Sequence, residues 1–118
     1  MAEEVEIGME TINVSYGEED DILFIRRMKE RPRGSVEIGD FIIDFSQDMH
    51  KAVGLEILNA SDVLSKQLGV NVSKEALSNI QKAMLKTEHR GDAIYVIYGI
   101  MLAKKNMEQS MIPILQAV

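Results

Sequence analysis

In the first half of the chain, apolar residues recur at every second position. From Thr11 to Tyr16, Ile12, Val14 and Tyr16 fall on one face and Thr11, Asn13 and Ser15 on the other, which is the period of a half-buried strand. Gly17-Glu18-Glu19-Asp20 reads as a turn, and Asp21 to Arg27 alternates again. Pairing residue 16 with residue 21 sets Leu23 and Ile25 opposite Val14 and Ile12 across a hairpin. Arg31-Pro32-Arg33-Gly34 breaks the pattern as a loop, since proline removes a ladder donor and glycine permits a tight reversal. Phe41 to Ser46 and Ala52 to Ile57 form a second hairpin. A loop over Gln47 to Lys51 sets Phe41, Ile43 and Phe45 opposite Ile57, Leu55 and Val53, whereas shorter loops would put Asp44 among the apolar residues. In the chosen register Asp44 and Glu56 share the opposite face as diagonal neighbours.

The period then changes. Ser61 is placed to cap a helix that carries Asp62 in its first turn and Val63, Leu64 and Leu68 as apolar positions, with Gly69 at its stop. Ser73 caps a second helix, predicted to bury Leu77, Ile80 and Met84 at helical spacing. Ala93 to Leu102 is rich in β-branched and aromatic residues and includes Gly99, which predicts a strand buried on both faces. Turns at Arg90-Gly91-Asp92 and Lys104-Lys105-Asn106 separate it from strands near Leu85 to His89 and Met107 to Ile112, and Pro113 requires an edge or a strand end. The expected fold is α+β over a single domain of residues 1–118: an antiparallel four-stranded meander, two short helices, then a C-terminal three-stranded meander.

Composition narrows the function classes. The 118 residues contain no cysteine, which removes disulfides, thiol nucleophiles and thiolate metal sites. A net charge of −6 argues against a general nucleic-acid or anionic-membrane binder. The charge is uneven: residues 1–25 carry −8, residues 26–33 carry +4 through Arg26, Arg27, Lys29, Arg31 and Arg33, and the rest carry −2. The basic run is expected to neutralise the acids before it; with only Phe24 nearby as a stacking platform, it makes a poor nucleic-acid site. The acidic start Met1-Ala2-Glu3-Glu4-Val5-Glu6 is unlike a signal peptide, and the longest apolar run, Ala93 to Ala103, is about half the roughly 20 residues of a membrane helix. A cytoplasmic location is expected.

Tyr16-Gly17-Glu18-Glu19-Asp20-Asp21-Ile22-Leu23-Phe24-Ile25, then Val36-Glu37-Ile38, then Ile43-Asp44-Phe45 leading to Val53-Gly54-Leu55-Glu56-Ile57-Leu58-Asn59-Ala60-Ser61 together resemble the small uncharacterised-domain family numbered 2283 among domains of unknown function. The resemblance covers residues 12–62. A Gly-x-Glu-x-Leu strand running straight into a Ser-capped helix is its most specific part. Gly17 stands where that family places aspartate, and Met49-His50 where it places Asp-Gly. The resemblance implies a small α+β fold with a leading β-meander and no defined activity; because some relatives sit beside small toxin-like proteins, it also implies a possible antitoxin role.

Few residues suggest chemistry. Asp44 and Glu56, with Asp21 near them, form the candidate metal or acid/base cluster, since adjacent carboxylates raise one another's pKa; the alternative is that they fix strand register through hydrogen bonds and ion pairs. His50 and His89 have no second ligand at zinc spacing. No G-x-S-x-G elbow or glycine-rich phosphate loop occurs. Arg90-Gly91-Asp92 is expected to be a turn. Eight methionines is a high count, and Met84, Met101, Met107 and Met111 fall in the last third. Together with the doubly apolar strand they call for cover, from either a second intramolecular sheet layer or a homodimer interface. Tyr95, Ile97, Met101, Met107 and Met111 are the interface candidates. The expected function is a non-enzymatic module, self-associating (a homo-oligomer) or binding an unidentified protein partner, with no cofactor, nucleic acid or membrane; a small metal-binding or acid/base enzyme centred on Asp44 and Glu56 is the alternative.

Overall fold

The computed structural model describes residues 12–47, 51–102 and 106–115. Expectations for the acidic N-terminus, for Thr11, for Met49 and His50, and for Lys104 and Lys105 lie outside the described residues. The elements are β1 (Ile12–Gly17), β2 (Ile22–Arg27), β3 (Gly34–Ile38), β4 (Phe41–Phe45), β5 (Ala52–Ile57), α1 (Ala60–Leu68), α2 (Lys74–Ser78), β6 (Ile80–Arg90), β7 (Ala93–Leu102) and β8 (Met107–Leu115). The α+β class and the three-stranded C-terminal meander, in the order β6-β7-β8, are as expected.

The N-terminal sheet differs from the expected four-stranded meander. It has five strands in the order β1-β2-β5-β4-β3, so β5 inserts between β2 and β4. The extra strand, β3, pairs only with β4 and turns into it at Gly39-Asp40, where Gly39 has φ 57°. A glycine-led pair between apolar residues suits a tight hairpin, and Val36 and Ile38 face Ile43 and Phe41 across it. The first hairpin is shifted by two residues from the expected pairing: Tyr16 meets Leu23 and Val14 meets Ile25. Because the side-chain period is two, that shift leaves every apolar residue on the expected face. In the second hairpin Phe41 pairs with Ile57 and Ile43 with Leu55 as expected, but a bulge after Asp44 sets Phe45 opposite Ala52 rather than Val53.

The helices need two corrections. Asn59, in the left-handed region at φ 52°, occupies the N-cap of α1 and makes no side-chain cap, so Ser61 is not the N-cap but lies inside the first turn. Gly69 closes α1 at φ 71° and Ser73 caps α2 by accepting from the Ala76 N–H, both as expected. However, α2 ends at Ser78, and Ile80 and Met84 belong to β6 instead of continuing its stripe. Pairing ten of the eleven residues of β6 with β7 satisfies a long ladder of backbone groups, which outweighs an apolar spacing that a short helix could share.

One continuous core joins both sheets and both helices: Leu23, Ile25, Ile43, Phe45, Leu55 and Ile57 from the first sheet, Leu85, Ile94, Val96, Tyr98, Ile100, Ile112 and Ile114 from the second, with Leu64 and Leu77 from the helices. The Phe41 and Tyr98 rings meet across the layers at 6.0 Å and 49°. β6 lies against β1, β2 and β5, and two polar ties fasten it there, from Arg27 to Leu85 and from Ala52 to Thr87, with Arg27 also bridging β2 to β5. Arg27 donates from Nε to the Ala52 carbonyl at 3.1 Å and from Nη2 to the Leu85 carbonyl, and the Ala52 N–H donates to Thr87 Oγ1 at 2.9 Å. The intramolecular layer therefore covers the inner face of the second sheet. Pro113 sits in β8, an edge strand, as its missing donor requires.

Candidate functional site

The three carboxylates singled out in the sequence do not converge. Asp44 lies on the outer face of the N-terminal sheet and accepts from Ser35 Oγ, its cross-strand neighbour, at 2.6 Å. On β5 the neighbouring outward position is Gly54, where a Cβ would stand 3.1 Å from Asp44 Oδ2, so the glycine makes room for the carboxylate to lie against the strand. Glu56 shares that face between Phe24 and Ile42, diagonal to Asp44 as expected. Asp21 lies beyond the start of β2, at the α1 end of the sheet. Among the described residues no group of three His, Asp or Glu side chains is placed to hold a metal ion.

Asp21 has a different assignment. Its Oδ1 accepts from Tyr16 Oη at 2.6 Å and from the Ser61 N–H at 3.0 Å, while Oδ2 accepts from Ser61 Oγ at 2.8 Å. Its carbonyl accepts from the Ala60 N–H at 2.9 Å. Two of the backbone donors left over at the start of α1 are thereby satisfied from a turn about forty residues earlier in the chain. Burial pushes the Asp21 carboxyl up, but the bonds from Tyr16 and Ser61, with Lys74 nearby, outweigh it and hold its pKa below the usual carboxylate value. Burial, then the bond to Asp21, pushes the Tyr16 phenol well above its ordinary value. The local reason for the geometry is that Asp21 itself adopts φ 57°, a left-handed conformation aspartate tolerates. Alternation alone did not reveal this network, although Tyr16, Asp21 and Ser61 all stand in the quoted family motif.

The interface candidates do converge. The inner face of β7 carries Ile94, Val96, Tyr98 and Ile100, so Tyr95, Ile97, Gly99 and Met101 project outward. The ladder sets Met111 beside Ile97 and Met107 beside Met101, which places all five candidates on the outer face of the C-terminal sheet. β6 adds Lys82, Met84, Lys86 and Glu88 to the same face, and Arg90 lies 4.9 Å over the Tyr95 ring. Met111 is 44% exposed, and Met84, Met101 and Met107 are half-buried. All four methionines of this sheet therefore avoid the core side, where Ile, Val, Leu and Tyr pack. The sequence reading counted Met84 among the clustered methionines but left it and Lys82 off this face because it extended α2 over Met84; Glu88 was placed in a strand without a face assigned.

The remaining signals have structural uses. Arg27 ties the sheets together, and Lys51 pairs with Glu30 at 3.0 Å. Gly91, at φ 58°, turns β6 into β7, so Arg90-Gly91-Asp92 is the hairpin turn expected. His89 lies near the end of β6 beside Ile94. Among the described residues no helix is long and apolar enough to cross a membrane.

Tyr98 is fully buried, and among the described residues its hydroxyl has no hydrogen bond of good geometry. Burial pushes its pKa up to about 12, slightly offset by the Ser110 hydroxyl beside it, which itself donates to Gln67 Oε1 at 3.1 Å. Removing an unpaired buried hydroxyl relieves its desolvation cost, so Tyr98→Phe should unfold at an equal or higher temperature, a gain of up to about 1 kcal/mol. A clear drop in thermal midpoint would show that the hydroxyl is bonded after all.

No curated protein and no solved structure matches the chain. The family model described as Protein of unknown function (DUF2283) matches residues 13–61, the segment from β1 into the first turn of α1 that contains Tyr16, Asp21, Asp44, Glu56 and Ser61.

Proposed function

We propose that this chain is a non-enzymatic binding module that recognises protein through the outer face of its C-terminal sheet. The observation that carries this reading is the gathering of exposed Met111 and half-buried Met84, Tyr95, Met101 and Met107 around the buried Ile97, on the face of that sheet turned away from the N-terminal sheet. An apolar sheet face rimmed by Lys82, Lys86, Glu88 and Gln109 has the composition of an interaction surface, and methionine adapts its shape to what it meets. The polar groups expected to carry chemistry are better explained as fold fasteners: Asp21 holds the start of α1, and Asp44 bonds Ser35 across β3 and β4.

Met111→Glu puts a charge on the most exposed apolar position of the face without touching the core. Its thermal midpoint should stay within a few degrees of the parent's, while proteins retained by the immobilised parent chain, a second copy of the chain included, should be lost. Phe24→Glu, at a position 39% exposed on the other sheet, should retain them and serves as the control. Equal retention by the parent and Met111→Glu would overturn the reading.

A further inference from the structure

We propose that the thioethers of Met84, Met101 and Met107 bind a soft monovalent metal ion, Cu(I), on the outer face of the C-terminal sheet. This goes beyond the reading of that face as a protein-binding surface, because the ion needs only side chains of one copy. Strand pairing gathers the three around Gly99. Met84 on β6 is the cross-strand neighbour of Gly99, and Met107 on β8 is that of Met101, which lies two positions along β7 from Gly99. Direct cross-strand neighbours have Cβ atoms about 5 Å apart and diagonal ones about 7 Å. Each sulfur sits beyond Cγ on a flexible stem, so all three reach the space above Gly99.

The glycine lets them meet. Met107 leans along the face toward it, with Cγ and Sδ 3.0 and 3.1 Å from where a Cβ of residue 99 would stand. Any side chain there would push that thioether away and stand between Met107 and Met84. Glycine inside a strand weakens it and marks a place of close approach; here the approaching atom is a sulfur. Met84, Met101 and Met107 are all half-buried, so the sulfurs are partly shielded from water yet within reach of an ion. Met111, opposite Ile97 and four positions from Met107, stands about 13 Å along β8 and outside the trio.

The donors select the metal. Thioether sulfur is a soft, uncharged ligand that suits Cu(I), whereas Mg²⁺, Ca²⁺ and Zn²⁺ call for carboxylate, imidazole or thiolate. Among the described residues no trio of His, Asp or Glu side chains competes for the ion, and the chain has no cysteine. Lys82 and Lys86 flank Met84 on the same face of β6, and their ammoniums repel a divalent ion about twice as strongly as a monovalent one. Binding forms bonds from sulfur to the metal, releases no proton and changes no oxidation state.

Ag(I), a soft ion of the same charge that holds one oxidation state, is the first probe, followed by Cu(I) kept reduced with ascorbate. In NMR spectra of the full chain with isotope-labelled methionine methyls, the Met84, Met101 and Met107 signals should shift together and saturate at a single ion per chain. Met111 and Met28, the latter 54% exposed between β2 and β3, should stay in place, and Zn²⁺ and Mg²⁺ should move none of the five. Met84→Leu, Met101→Leu and Met107→Leu keep the apolar bulk, so the fold and any protein capture should persist. Against a competing chelator each should weaken Ag(I) uptake about tenfold or more, since two thioethers leave the site incomplete. Met28→Leu should bind as the parent does.

An unchanged spectrum at several equivalents of either ion overturns the site, and so does a Met28 signal that moves as far as those of the trio. Leu variants that bind like the parent overturn these ligands. Protein capture without Ag(I) uptake refutes the metal site and leaves the protein-binding reading standing; uptake without capture supports the site and refutes that reading.

Discussion

Asp21→Asn is expected to cost about 2–4 kcal/mol of folding stability at neutral pH. The carboxylate accepts three hydrogen bonds, from Tyr16 Oη, Ser61 Oγ and the Ser61 N–H. Bonds to an ionised group contribute about 1.5–3 kcal/mol each when buried, less here because the site is only partly buried. Asparagine tolerates the left-handed backbone at φ 57°, so the substitution isolates the charge and the lost acceptor oxygen from backbone strain. One of its two side-chain positions becomes a donor, which sets it against either Tyr16 or Ser61.

Protonation acts on the same site. The folded pKa of Asp21 lies below its ordinary value of 3.8. Its contribution is therefore complete above that value and is lost as the pH falls from about 4 through the depressed folded pKa. The parent's chemical-denaturation midpoint should decline over that range, and the decline should be shallower in Asp21→Asn. Equal slopes in the two proteins would show that the carboxylate does not hold the α1 start.

Arg27→Met should be nearly as damaging, at about 2–4 kcal/mol, for a different reason. The guanidinium fork reaches the Ala52 carbonyl on β5 and the Leu85 carbonyl on β6, one in each sheet. Methionine fills the space of the stem but leaves both acceptors without that donor where the layers meet. Lysine should not rescue it, because an ammonium lacks the fixed fork needed to serve two carbonyls at once. Urea titration of Arg27→Met and Arg27→Lys checks this. If Lys matches the parent, a single charge suffices and the fork has no special role.

Legibility in the sequence followed the range of the interaction. β1, β2, β4, β5, β7 and β8 were readable because alternation, or its replacement by continuous apolar residues, is written in consecutive positions. Periodicity passed over β3, because two apolar residues, Val36 and Ile38, carry little of it; Val36-Glu37-Ile38 entered only through the family resemblance, as its middle strand, although Gly39-Asp40 between Ile38 and Phe41 is a hairpin signal. The end of α2 was misread because Leu77, Ile80 and Met84 fit a helical spacing by coincidence. In the fold a bulge between Ile80 and Lys82 turns Ile80 toward the core while Met84 faces out. For the candidate site, the shared face of Tyr95, Ile97, Met101, Met107 and Met111 was legible because odd positions on two adjacent strands fall on one side once the ladder is in register. The trio of Asp21, Asp44 and Glu56 divides in the fold. Asp44 and Glu56 sit on paired strands, whereas the place of Asp21 depends on a contact with Ser61 forty positions away.

By itself, then, the sequence determined the local elements and the sidedness of each strand, since these depend on side-chain period, caps and turn residues within a few positions. It also determined that Ala93 to Leu102 has two apolar faces. Only the tertiary structure decided that β5 enters between β2 and β4, that the first sheet packs on the inner face of β7 and not on its outer one, and that Asp21 and Arg27 act as fasteners. Those outcomes depend on which distant segments close on one another to bury apolar area and pair backbone groups, and no short-range pattern in the chain encodes that choice.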